Sequence, residues 1–359
     1  MSIEWVNQSV AIPDGGLLQA ARAHQLQLTK PPGSLGRLED IAVRLAAMQG
    51  SQDIKLDKVH IVVFAADHGI AEEGVSAFPQ AVTTEMVKNF ARGGAAISVM
   101  ARELNASLEV VDVGTVIPAG PLDGVVDNRV AAGTANMARQ AAMDEKQLAS
   151  ALQAGQAAVQ RGMEQGMQLF IGGDMGIANT TAATAMACAL LKQKAVNLTG
   201  PGTGLDQAGV SRKAGIIQAV LDKHAAALDS PQAILRYLGG FEIAALCGAY
   251  LSCAQQGIPF IVDGFIASSA ALLAVNIQAD VKDWMFMAHR SAEPGHKHMV
   301  EAIGITPLLD MGMRLGEGSG AALAVPLLRM AVATHTQMAT FAEAGVSDKV
   351  QDDISLDTH

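Results

Sequence analysis

Three glycine-rich turns hold most of the side chains in this sequence that are equipped for chemistry. The first, Gly172-Gly173-Asp174-Met175-Gly176-Ile177-Ala178-Asn179-Thr180-Thr181, leads into an apolar run patterned as a helix. Glycines let the backbone approach a ligand, and free N–H groups at a helix start favour a phosphate. Asn179 and Thr180 fall at that start and are equally suited to cap the helix, so both readings stay open. The second turn, Thr199-Gly200-Pro201-Gly202-Thr203-Gly204, is followed by Lys213, which either reaches an anion or is solvated on its own helix. The third, Arg314-Leu315-Gly316-Glu317-Gly318-Ser319-Gly320, sets a carboxylate between glycines just before an apolar helix. Glu317 there either meets a ligand or answers the dipole of that helix.

Histidines raise the question of a metal. Asp67-His68 invites a metal or general-base role, but reads better as a hydrogen-bonded pair that fixes its loop. His296-Lys297-His298 is spaced like a chelate, yet no carboxylate or cysteine pattern completes it, so no metal site is expected. The sequence contains neither G-x-G-x-x-G nor a Walker A motif, which argues against a nicotinamide dehydrogenase and a P-loop NTPase. Two competing readings remain. One is a metal-dependent phosphoester hydrolase built on Asp67, His68, His289 and His296. The other is a binder of nucleotides or benzimidazoles without catalysis.

The elements that must position these turns follow from the apolar pattern. Short, mostly continuous apolar runs at 59–65, 108–113, 168–171, 195–198, 259–262 and 284–288 predict strands buried on both faces. Helical patterns lie between them at 83–103, 144–165, 180–193, 209–227, 241–256 and 268–277. Such alternation predicts an α/β fold with a parallel sheet and right-handed crossovers. Ligands of such sheets bind beyond the carboxyl ends of the strands, where the glycine turns fall. The ends of the chain look different: 15–29 and 35–49 are helical, and 320–344 reads as one or two helices, with a kink at Pro326. The expected organisation is a small helical domain from 1–50 and 315–345, a large α/β domain from 51–314, and a polar tail from 346–359.

Composition narrows the class. Half of the 359 residues are hydrophobic and only 17% are charged, which predicts a large core and little disorder. A formal charge of −10 without a basic cluster makes a poor nucleic-acid binder. Cys188, Cys247 and Cys253 form no C-x-x-C pair and sit in Ala-rich stretches, which predicts buried thiols in a reducing compartment. The first residues lack the charged-then-apolar pattern of a signal peptide, and the longest apolar stretch is interrupted by Asp263 and serines. A cytoplasmic protein without a membrane span is expected.

Taken together, the motifs resemble those of the nicotinate-nucleotide–dimethylbenzimidazole phosphoribosyltransferase family of cobalamin synthesis. The similarity runs in order from Lys30-Pro-Pro-Gly-Ser-Leu-Gly-Arg-Leu-Glu39 through Ala66-Asp-His-Gly69, the 172–181 turn, Gly239-Gly-Phe-Glu-Ile243, Asp263-Gly-Phe265 and Ser291-Ala-Glu293 to the 314–320 run. It spans roughly residues 15–345. The resemblance implies transfer of phosphoribose from nicotinate mononucleotide to 5,6-dimethylbenzimidazole or a related base, giving α-ribazole 5′-phosphate and nicotinate. It implies Glu317 as the carboxylate that takes the proton of the incoming base. It implies Asp174 as a second carboxylate, where family members often carry the longer glutamate, and Lys213 near the reacting groups. Phosphate and ribose would lie on Gly176, Asn179, Thr180, Gly202, Gly204 and Ser291, and the acceptor base against Phe78 and Met86. No cofactor and no metal are implied, because the donor already carries a pyridinium leaving group. A Rossmann-like large domain, a small helical domain and a homodimer complete the expectation.

Overall fold

Residues 3–347 are described by the structure, a computed structural model. Among them six strands form one all-parallel sheet: β1 (Val59–Ala66), β2 (Ser107–Gly114), β3 (Val125–Asp127), β4 (Leu169–Met175), β5 (Phe260–Val262) and β6 (Met285–Met287). Their order is β3-β2-β1-β4-β5-β6. Every residue of β1 is buried, as suits a central strand whose Val, Ile, Phe and Ala run is interrupted only by His60. The chain winds outward from β1 in one direction and restarts from β4 in the other. The strand order therefore reverses between β1 and β4, and their carboxyl ends bound the crevice where such sheets take ligands.

The helices are α1 (Gly15–Gln27), α2 (Arg37–Gln49), α3 (Ala81–Ala91), α4 (Ala96–Glu103), α5 (Glu145–Glu164), α6 (Asn179–Leu191), α7 (Ala195–Leu198), α8 (Gln207–His224), α9 (Pro231–Leu238), α10 (Phe241–Gln256), α11 (Phe265–Ile277), α12 (His296–Ile303), α13 (Ser319–Gln337) and α14 (Phe341–Ala344). On one face of the sheet α10 packs against α5 and β1. The two helices approach at glycines: a Cβ on Gly155 would collide with the Ala245 carbonyl, and one on Gly248 with the Leu152 carbonyl. None of the helices is long and apolar enough to cross a membrane, among the described residues. The three cysteines are buried and unpaired, and burial pushes the Cys188 thiol up to about 12.

Several elements depart from their sequence expectation. The 195–198 run is helical, not a strand. Ala195 and Leu198 are buried while Val196 is 72% exposed, the spacing of one helical face. The helix expected over 83–103 breaks at Gly93-Gly94 into α3 and α4. The edge strand β3 and the short helices α9 and α12 were not anticipated. α9 carried a signal nonetheless, since Ser230 caps it through the Ala233 amide with Pro231 at its first position.

The chain divides into two compact units. The larger holds Met1–Pro13 and Lys55–Pro326; the smaller holds Asp14–Ile54 and the chain from Leu327. These bounds differ from the expected 1–50 with 315–345. Residues 3–13 pack with the sheet unit because the Ala11 amide donates to the Ala254 carbonyl and the Trp284 indole to the Ala11 carbonyl. Arg314 to Pro326 also lies in the larger unit, which therefore contains the whole glycine run around Glu317. In the smaller unit Asp14 caps α1 through the Leu17 amide at 2.9 Å, and Lys30 pairs with Glu39 at 2.8 Å. The expected polar tail falls, from residue 348 on, outside the described residues.

Candidate active site

A cavity of about 270 Å³ opens where the sheet order reverses. Asp174, Gly176, Asn179 and Thr180 line it from the end of β4 and the start of α6. Gly202, Ser291 and Phe78 line it from three other segments. Seven of the eleven residues expected at the site thus meet around one space. Glu317, Lys213, Gly204 and Met86 do not touch it.

One side of the cavity is built for an anion. No side chain caps α6, whose preceding residue Ala178 is held at φ +76°. Asn179 instead donates its side-chain amide to Asp174 Oδ2 at 3.0 Å, and the Thr180 hydroxyl accepts from Lys213 Nζ at 2.7 Å. The capping reading of these two residues is therefore wrong, and the first turn of α6 keeps its positive end uncompensated. Lys213 is likewise not solvated. It is 1% exposed, and burial lowers its pKa to about 8 against the raising influence of Glu293. Gly202 must be glycine, since a Cβ there would stand 2.8 Å from the Thr180 hydroxyl. Its amide donates to Glu293 Oε1 at 3.1 Å, and its carbonyl accepts from Arg314 at 3.4 Å. Gly204, at φ +112°, is exposed beyond that turn.

Ser291 is set by its neighbours after β6. Its amide donates to His296 Nδ1 at 3.1 Å, so His296 Nε2 must carry the proton and donate to the Ser268 hydroxyl 3.1 Å away. Burial, with His289 and Arg290 nearby, holds the pKa of this neutral imidazole down at about 4.

The other side is acidic. Asp174 is raised well above the usual carboxylate range, first by burial and then by Asp263, Glu242 and Glu317. Its side chain lies against Gly316, where a Cβ would stand 3.2 Å from Asp174 Oδ2. Gly316, Glu317 and Gly318 all have left-handed backbones, at φ +85°, +65° and +83°. For the glutamate this conformation costs about 1–2 kcal/mol. Asp263 holds the run in place: its carboxylate accepts from the Gly318 amide at 3.1 Å and the Ala321 amide at 2.9 Å. Glu317 does not serve its own helix. Its carboxylate accepts from the Ile97 amide, in the first turn of α4, at 3.4 Å, and burial raises its pKa. No residue of α4 itself caps that turn.

The acceptor wall expected at Phe78 and Met86 is only half present. Phe78 lines the cavity and is 51% exposed, whereas Met86 is half-buried on α3 with Asn89 at its sulfur. Asp67 and His68 turn out not to be partners. Asp67 accepts from the Thr83 hydroxyl at 2.6 Å and the Val116 amide at 2.8 Å, while His68 Nε2 pairs with the buried Glu242 at 2.6 Å. Among the described residues, no three His, Cys, Asp or Glu side chains are disposed to hold a metal ion. His296 and Asp67 are each committed to protein hydrogen bonds, so the four residues of the hydrolase reading do not assemble.

Reasoning from the sequence quoted Glu242, Asp263 and Glu293 within the family motifs but gave none of the three a role at the site. For the first two a stronger signal existed: each is a lone acid inside or at the end of an apolar run, a pattern that costs too much energy to bury without a purpose.

Known proteins place these features in context. A family model described as phosphoribosyltransferase matches residues 10–346. Nicotinate-nucleotide–dimethylbenzimidazole phosphoribosyltransferase from Pseudomonas aeruginosa is 56% identical over 349 residues, covering 97% of this chain and 99% of the relative. The protein of the same name from Pseudomonas putida is 57% identical over the same span. A crystal structure under that name from Thermus thermophilus superposes with a TM-score of 0.88 at 43% identity, covering 94% of this chain and all of that one.

Proposed function

The chain belongs to the nicotinate-nucleotide–dimethylbenzimidazole phosphoribosyltransferase family, and on that premise we propose that it moves phosphoribose from nicotinate mononucleotide to 5,6-dimethylbenzimidazole or a related base. The products are α-ribazole 5′-phosphate and nicotinate, for cobalamin synthesis. The observation that carries this reading is the meeting of unlike charge around one cavity: an uncapped helix start joined to a buried lysine, beside the buried carboxyl of Asp174.

The donor's 5′-phosphate lies on the first turn of α6, with Gly176, Asn179, Thr180, Gly202 and Ser291 around it and Lys213 behind Thr180. Its ribose then directs C1′ toward Asp174. Burial and like charges push Asp174 toward its neutral form. The pyridinium of a bound donor is the opposite charge that returns it to the carboxylate. That negative charge then meets the positive charge that grows on the ribose as the glycosidic bond loosens.

A ring nitrogen of the incoming base forms the new bond to C1′ from the face opposite the leaving nicotinate, so the configuration inverts. Nicotinate departs with the electron pair of the broken bond and needs no proton. The base's other nitrogen loses its proton to Glu317. Burial makes Glu317 a stronger base than an exposed glutamate, while the Ile97 amide orients the carboxylate. Phe78 supplies apolar contact for the base, and Met86 lies away from the cavity. The enzyme works as a cytoplasmic homodimer. Buried, unpaired cysteines fit a reducing compartment, and the exposed Val116 and Ile117 offer apolar surface to a symmetric partner.

Incubation with nicotinate mononucleotide and a mixture of benzimidazoles and adenine tests the reading. The expected result is nicotinate release with one base preferentially ribosylated in the α configuration. Saturable binding of the donor without nicotinate release would leave a binder in place of an enzyme.

A further inference from the structure

Glu293 is a carboxylate on the anion side of the cavity for which the proposed reaction has no use. It lies between β6 and α12, lines the cavity and is 6% exposed. Oε1 accepts the Gly202 amide at 3.1 Å. Oε2 is buried against Gly200, where a Cβ would collide with it, and has no hydrogen-bond partner. Lys213 from α8 and Arg314 from the segment before α13 are the charged groups that act on it. A glycine amide in contact, and two cations acting from beyond ion-pair distance, are surroundings that suit a phosphate oxygen. Here a side chain of the protein itself occupies them.

We propose that Glu293 is a positioning residue that stands in for the donor's phosphate: it holds the 200–204 turn ready, then takes up a proton when phosphate enters. This rests on the phosphate half of the proposed function. The reason is electrostatic. A phosphate dianion and an ionised carboxylate cannot share the Gly202 amide and the same two cations without strong repulsion. Once protonated, Glu293 becomes a donor, and the phosphate offers the acceptor that Oε2 now lacks. Burial already favours that neutral form, against Lys213, the Gly202 amide and Arg314.

Proton uptake makes phosphate affinity fall as pH rises. The second ionisation of the phosphate, near pH 6, acts in the opposite sense because the dianion binds better. Loss of the Lys213 proton near pH 8 weakens binding in every variant that keeps the lysine. Comparing wild type with Glu293→Gln isolates the glutamate from both.

The test is calorimetric titration with ribose 5-phosphate and with nicotinate mononucleotide at pH 7.5, in two buffers of different ionisation enthalpy. With each ligand, wild type should take up close to one proton more per phosphate bound than Glu293→Gln, since Lys213 and Asp174 contribute alike to both. The Gln variant should bind about 10-fold tighter than wild type at pH 8, one pKa unit's worth of lost repulsion. Glu293→Asp, which keeps the carboxyl, should keep the uptake. Absence of uptake by wild type with ribose 5-phosphate, which carries no pyridinium to ionise Asp174, overturns the proposal even if the Gln variant fails to fold, as does equal uptake by wild type and Gln with either ligand. If ribose 5-phosphate binds with uptake but no nicotinate is released from the nucleotide, the reaction is wrong and the role of Glu293 stands. If neither phosphate compound binds, the role of Glu293 falls with the phosphate site.

Discussion

Lys213 donates to the Thr180 hydroxyl at 2.7 Å from a position closed to solvent, tying α8 to the first turn of α6. The fold keeps a charge inside it that burial opposes: the pKa falls from 10.5 to about 8. On the proposed function, that positive charge serves the donor's phosphate.

Lys213→Met should therefore stabilise the protein at pH 7 by roughly 1–3 kcal/mol, less what the Thr180 hydroxyl loses, while weakening donor binding at least about 10-fold. The sign follows from linkage. At pH 7 folded and unfolded lysine are both protonated, so the full burial penalty is present. Between pH 8 and 10.5 the unfolded chain binds more protons, so wild-type stability rises with pH and the gap to the variant closes. Denaturant titrations at pH 7 and pH 10 read this directly; a gap that widens with pH contradicts it.

Asp263 is expected to matter through geometry. Its carboxylate receives the Gly318 and Ala321 amides and so fixes the run that presents Glu317. Asp263→Ala leaves those amides unpaired and should cost about 2–4 kcal/mol of stability, with turnover reduced about 10²-fold. Asp263→Asn, which keeps one acceptor oxygen, should recover part of both. Equal losses for Ala and Asn would argue against this role.

Glu317 is held at φ +65°, where glycine is at ease and other residues are not. Glu317→Gly should be more stable than Glu317→Ala by about 1 kcal/mol, although both are inactive. Thermal melting of the two variants decides the point, and an Ala variant at least as stable as Gly would show that the strain is absent.

His296 should make the large unit acid-sensitive. Its neutral form accepts the Ser291 amide, and its pKa in the fold is about 4 against an ordinary 6.5. Above pH 6.5 neither state is protonated, and its contribution is fully present. As pH falls from 6.5 toward 4 the unfolded chain takes up the proton first, and up to about 3 kcal/mol is lost. His296→Asn, which keeps an acceptor and a donor, should flatten that part of the stability curve.

Much of this was legible in the residues, for reasons that differ by feature. β1 and α10 read correctly because burial on every side demands a largely apolar sequence, interrupted by His60 in the strand and by Glu242 and Ser252 within the buried part of the helix. Alternation of strands and helices pointed to a parallel sheet, yet nothing local encodes the reversal between β1 and β4 that places the cavity. The four residues at 195–198 were misread because a short apolar run serves a strand or a buried helical turn equally well. The glycine turns marked the anion side. The burial of Lys213 was hidden, because α8 carries polar residues on most of its surface. Pairings across the chain, such as His68 with Glu242, 174 residues apart, leave no local trace. The side chains of Asn179 and Thr180 permitted capping or phosphate binding, and only their observed partners, Asp174 and Lys213, removed the first option.

The central claim is that Glu317 takes the proton of the incoming base and does not hold the donor. Its most direct test measures nicotinate release by Glu317→Gln at saturating nicotinate mononucleotide and dimethylbenzimidazole, alongside the dissociation constant of the nucleotide. The account predicts turnover lower by about 10²-fold or more, with donor affinity within about threefold of wild type. Turnover near wild type, or a loss confined to donor affinity, would contradict it.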